Sequence, residues 1–114
     1  MCKQENFQAF IDHFSASIAS QKKYTRFPLE KLQVDALADP EPLPQEFRLQ
    51  KSQIVFPIFP GTDEIKNESL SLAISISGRE AKVRLFKPDT DYLIEYFFKH
   101  EDCWNLVRIE DWSL

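Results

Sequence analysis

Leu70-Ser71-Leu72-Ala73-Ile74-Ser75-Ile76-Ser77-Gly78-Arg79-Glu80-Ala81-Lys82-Val83-Arg84-Leu85 decides the fold, because this stretch fixes a secondary structure and a register together. In its first half the even positions are large and apolar while the odd ones are Ser or Ala, the period of a strand with one buried face. A helix would spread those serines around its circumference. Gly78-Arg79 suits a two-residue hairpin loop with glycine first, which sets Ser77 opposite Glu80. Ile76 then meets Ala81, Ile74 meets Val83 and Leu72 meets Leu85 on one face, while Ser75 with Lys82 and Ala73 with Arg84 share the other. A one-residue slip would turn every apolar side chain outward, so turn and pattern support the same register.

Pro88-Asp89-Thr90-Asp91 reads as the second turn. Pairing Lys87 with Tyr92 places Val83 beside Tyr96 and Leu85 beside Ile94, with Arg84 beside Glu95 on the other face. A third turn in His100-Glu101-Asp102-Cys103 pairs Lys99 with Trp104. That register sets Tyr96 against Val107, Ile94 against Ile109 and Tyr92 against Asp111, and leaves Glu95 between Arg84 and Arg108. Leu70 to Trp112 is therefore expected to be a four-strand antiparallel meander.

Upstream, Phe7, Phe10, Ile11, Phe14 and Ile18 recur at the spacing of one narrow helical stripe, predicting a helix from Glu5 to Ser20. Its only large apolar partner is the Leu/Ile/Val face of the meander. The expected class is thus α+β, an N-terminal helix packed on a curved antiparallel sheet. Asp12 and His13 point off the stripe and read as a solvated face. Gln21 to Gln45 reads as loop, broken by Pro28, Pro40, Pro42 and Pro44, with a short helix over Leu29 to Leu37 and a strand as its alternative. Ile54 to Phe59 reads as a buried or edge strand, and Pro60-Gly61-Thr62-Asp63 as a turn into an acidic loop.

The 114 residues fit a single domain, and 43% hydrophobic content with ten Phe is globular. A net charge of −4 without any Lys/Arg-rich run argues against nucleic acid as a partner. The longest apolar run, Ile54 to Phe59, is too short to cross a bilayer. No charged-then-apolar signal segment is read, as in a mature or trimmed form. Cys2 and Cys103 make neither a zinc set nor a redox pair, and Cys103 reads as a strand-end residue. Cys2 heads a polar lead, where a bacterial lipoprotein carries its lipid; an ordinary exposed thiol is the alternative. Two glycines leave no phosphate-binding loop, and no metal or cofactor is expected.

Phe7-x-x-Phe10-x-x-x-Phe14, Arg26-Phe27-Pro28-Leu29, Phe97-Phe98 and Trp104-x-Leu106-Val107-x-Ile109-x-Asp111 together resemble a Bacteroidetes envelope family of unknown function with the nuclear transport factor 2-like fold. The likeness covers nearly the whole chain, through structural words and not catalytic ones. It implies a cone, with helices on one side of a curved sheet and a pocket at the open end. It also implies a cell-envelope or periplasmic location, with a lipid on Cys2 as the one membrane attachment.

The meander register puts Lys87, Tyr92 and Asp111 together at one end of the core-facing side, with Tyr96 a step deeper and Asn105 at the other end. Tyr24 and Arg26 are expected to fold over them from the end of the helix. These six, Lys87, Tyr92, Tyr96, Asp111, Tyr24 and Arg26, are the candidate ligand-binding residues. A carboxylate beside phenols in an apolar cone suits holding a polar ligand or acid/base work, with Asp111 the one catalytic candidate. The opposite face gathers Phe86, Leu93, Phe97, Leu106 and Trp104, which predicts a homodimer through that face. The role expected is an exported small-ligand-binding or interaction module. The alternatives are an acid/base enzyme of isomerase or dehydratase type, with Tyr92 or Tyr96 as donor to an oxyanion, and a structural domain with a filled cone.

Overall fold

The computed structural model describes residues 6–114, so the candidate lipid site at Cys2 lies outside the described residues. Asn6 caps the first helix, α1 (Phe7–Ala16), its side chain accepting the Ala9 amide at 2.8 Å. The single helix expected to reach Ser20 divides at Ser17. That residue is extended, and its hydroxyl accepts the Ser20 amide at 3.2 Å to start α2 (Ile18–Lys23). The break resets the helical phase: Phe7, Phe10, Ile11 and Phe14 are buried as expected, but Ile18 is 47% exposed.

Six strands follow, β1 (Thr25–Asp35), β2 (Leu43–Leu49), β3 (Ser71–Ser77), β4 (Glu80–Phe86), β5 (Leu93–His100) and β6 (Trp104–Asp111). They form one curved sheet in the order β2-β1-β6-β5-β4-β3, antiparallel except where β1 lies parallel to β6. The β3/β4/β5 registers are those read from the two turns, with Ser77 opposite Glu80 and Val83 opposite Tyr96. Helix α1 lies on this sheet. Phe7, Phe10 and Phe14 meet the Phe98 ring edge-on at 5.2, 5.6 and 5.6 Å, and Trp104 meets Phe7 at 5.0 Å. Such edge-to-face pairs add to the area they bury.

The last hairpin departs from the expected register. Its ladder closes at His100 opposite Trp104, and a bulge between Phe97 and Phe98 skips Val107. Tyr96 therefore faces Ile109, Ile94 faces Asp111 and Glu95 faces Glu110. A bulge reverses the parity of the strand beyond it, so Trp104 and Leu106 turn into the core, Leu106 with 0% exposure. Neither belongs to the opposite face, and Leu106 cannot join a dimer contact there; Phe86, Leu93 and Phe97 stay half-buried. Glu95 pairs with Lys82 and Arg84, each at 3.4 Å, and Arg108 instead with Glu30, Glu46 and Glu110. Cys103, read as a strand end, sits in the loop before β6 and is disulfide-bonded.

Upstream of the meander the differences are larger. The Leu29 to Leu37 helix is replaced by β1, whose backbone is satisfied by β2 on one side and β6 on the other. Those partners are remote in sequence, and they outweigh a helical spacing of leucines. Ile54 to Phe59 forms no strand. A 3-10 turn (Lys51–Gln53) leads into it, and the supposed acidic loop is a short helix, α3 (Thr62–Asn67), started by Gly61.

Candidate functional site

Gln21 builds the open end of the sheet. It lies on α2, seven residues after Phe14, and is polar yet fully buried. Its Nε2 donates to the Phe14 and Phe59 carbonyls at 2.9 and 3.0 Å, and its Oε1 accepts the Ile58 and Phe59 amides at 2.7 and 3.1 Å. The irregular 54–60 segment thus finds in one side chain the partners a sheet ladder would supply, as buried backbone requires. Ser15 Oγ adds a bond to the Pro60 carbonyl at 2.8 Å, and Tyr96 Oη one to the Ile58 carbonyl at 3.3 Å.

Held in this way, Pro57 and Ile58 stand between two clefts. The larger, about 590 Å³, is lined by Lys87 and Tyr92 with Glu64, Glu68 and Leu70. The smaller, about 300 Å³, is lined by Tyr96 and Asp111 with Lys31, Ile94 and Ile109. Four of the expected site residues therefore gather at this end, although Asp111 sits opposite Ile94 and not Tyr92. Tyr24 and Arg26 line neither cleft. The chain enters the sheet at Thr25, opposite Leu106, directly after α2, so neither Tyr24 nor Arg26 folds back over the end. Tyr24 meets Phe10 edge-on at 5.9 Å, and Arg26 pairs with Glu101 on the outer side. Asn105 donates to the Cys103 carbonyl at 3.1 Å.

Lys31, Glu64, Glu68 and Gln21 escape the sequence reading. A polar residue on an otherwise apolar stripe is the signal for Gln21. Glu64 and Glu68, four apart, would show as neighbours only once α3 is known to be a helix.

Burial raises both phenols above their ordinary pKa of 10.0, strongly for Tyr96 and less for Tyr92. Nearby negative charge adds to this, from Asp111 and Glu64 at both and from Glu68 at Tyr92. Both are therefore neutral hydrogen-bonding groups at neutral pH. They differ in one respect: the Tyr96 hydroxyl is engaged by Ile58, whereas the Tyr92 hydroxyl forms no hydrogen bond among the described residues. Asp111 Oδ1 accepts the Ser113 amide at 3.0 Å. No cluster of His, Cys, Asp and Glu fit for a metal occurs among the described residues.

A third depression, about 440 Å³, lies on the sheet face away from α1, over Phe97 between Ser75, Lys82 and Arg26. Among its charges Arg26 pairs with Glu101, Lys82 with Glu95, and Arg108 with Glu30, Glu46 and Glu110, of which Glu110 and Glu46 hold its guanidinium above its ordinary pKa; Glu80 and Lys99 form no ion pair among the described residues. At the open end, the Tyr92 hydroxyl is left without a hydrogen bond among the described residues.

No family model and no curated protein matches the chain. Among solved structures, an NTF2-like protein of Bacteroides fragilis NCTC 9343 is similar over 100% of this chain, with a TM-score of 0.66 and 18% identity. The fold is nuclear transport factor 2-like. This chain covers 50% of that neighbour's length, and at such identity the likeness shows the fold alone.

Proposed function

We propose that the chain is an exported module that binds a small polar ligand at the open end, in the clefts on either side of Pro57 and Ile58. The observation that carries this reading is the free Tyr92 hydroxyl in a 590 Å³ cleft, beside a Tyr96 hydroxyl already engaged by the fold. Cavities of roughly 300–1,000 Å³ with apolar walls and a few converging polar groups are the usual form of small-molecule sites. Ile58, Leu70 and Pro57 supply such walls here, and Tyr92, Lys87 and Glu64 the polar groups. The disulfide at Cys103 fits an oxidising compartment and so supports export. An acid/base role for Asp111 draws less support, since neutral phenols stand around it and its Oδ1 already holds a backbone amide.

The test is a thermal-shift screen of small polar molecules against the parent and Tyr92→Phe. Compounds that raise the parent Tm and lose most of that effect in Tyr92→Phe support the site. Compounds that stabilise both proteins equally place binding elsewhere and refute it.

A further inference from the structure

We infer that β3 is a docking edge for a second copy of this chain, paired antiparallel about a two-fold axis through Ile74. The three large side chains of this edge strand, Leu72, Ile74 and Ile76, are 41%, 37% and 55% exposed. They lie on the same face as Leu85, Val83 and Ala81, their partners on β4, which are buried.

The same three residues carry the free backbone. Gly78, at φ 59°, opens a two-residue loop, so Ser77 and Glu80 close the hairpin as a hydrogen-bonded pair. Hydrogen-bonded and non-hydrogen-bonded pairs alternate along an antiparallel ladder. Ser71, Ala73, Ser75 and Ser77 therefore bond to β4, and the amides and carbonyls of Leu72, Ile74 and Ile76 face outward.

Edges left to solvent are normally blunted by charge, proline or a bulge. β2, at the other edge, has Pro44, Glu46 and Arg48. β3 has none of these: its seven residues are Ser, Leu, Ala and Ile only, in unbroken register with β4.

The edge is also complementary to itself. With Ile74 opposite its own counterpart, Leu72 falls opposite Ile76, so each outward backbone group meets another and all the apolar side chains join on one face. The small outer residues oppose one another without crowding. Charge agrees with this register. Arg79 at the tip of the turn comes beside Glu68, just ahead of β3, in the other copy, and neither forms an ion pair among the described residues. Strand addition across an exposed edge is an established mode of association, and a two-fold contact requires this kind of self-matching patch.

The experiment is sedimentation over a wide concentration range, with amide hydrogen exchange by NMR, on the parent and Ile74→Lys. The parent is expected at twice the monomer mass at high concentration, with the Leu72, Ile74 and Ile76 amides protected only there. Ser75, bonded within the chain, serves as the control that is protected throughout. Ile74→Lys is expected to be a folded monomer. If it fails to fold, Arg79→Glu, on an exposed turn, replaces it and is expected to weaken the dimer, with Glu68→Arg in the same chain restoring it. A parent that stays monomeric overturns the inference, including the case in which another protein's strand takes this edge. A dimer whose β3 amides exchange freely at every concentration also overturns it.

Discussion

Replacing Gln21 by Leu removes the support of the 54–60 segment while leaving side-chain volume nearly unchanged. The structure sets the magnitude. Four hydrogen bonds are lost, to the Phe14 and Phe59 carbonyls and from the Ile58 and Phe59 amides, at a residue with 0% exposure. Each buried group left without a partner costs about 1–3 kcal/mol. The segment can swing outward and regain water for some of them, and the extra apolar burial of Leu returns about 1–2 kcal/mol. A net loss of about 3–5 kcal/mol remains, which for a domain of this size lowers Tm by roughly 12–20 °C. Chemical denaturation of both proteins, with hydrogen exchange at Ile58 and Phe59, reads it. A loss under about 1 kcal/mol, or amides as protected in the variant as in the parent, would refute the clamp.

Phe14 is fully buried among Phe10, Phe59 and Phe98, so Phe14→Ala is expected to cost about 3–5 kcal/mol in urea unfolding; an unchanged melt would contradict the helix-on-sheet packing. The Tyr96 phenol has a folded pKa raised above its unfolded value, so its contribution is complete below about pH 10 and is lost as pH rises beyond it. Parent stability should therefore fall more steeply above pH 10 than that of Tyr96→Phe, and parallel curves in alkaline denaturation would argue against it. Asp111→Asn keeps an oxygen for the Ser113 amide and removes a negative charge from near Tyr92, so its stability should match or exceed the parent's. A loss of about 1–3 kcal/mol at neutral pH would make that carboxylate structural.

What the sequence makes legible follows the range of the interactions involved. β3, β4 and β5 are tied by Gly78-Arg79 and by Pro88-Asp89-Thr90-Asp91, turns that act over a few residues, and their registers read correctly. β6 depends on a bulge at Val107, which no period-two pattern displays, so Trp104 and Leu106 were expected on the wrong face. β1 draws its partners from residues 43–49 and 106–111, and local spacing cannot reveal pairing over that distance. The site divides in the same way. Tyr92, Tyr96, Asp111 and Lys87 are set by the meander, and the structure brings them to one end. Tyr24 and Arg26 depend on a fold-back from the helix end, which the early start of β1 at Thr25 removes.

The fold leaves the Tyr92 hydroxyl without a hydrogen bond among the described residues, available for something other than the fold's own stability. The melt of Tyr92→Phe against the parent, at neutral pH and without ligand, tests it most directly. Deleting a hydroxyl that no described residue binds should leave stability within about 0.5 kcal/mol of the parent, or raise it slightly. A loss of about 1 kcal/mol or more would show that the hydroxyl is bound within the fold, and would contradict the account.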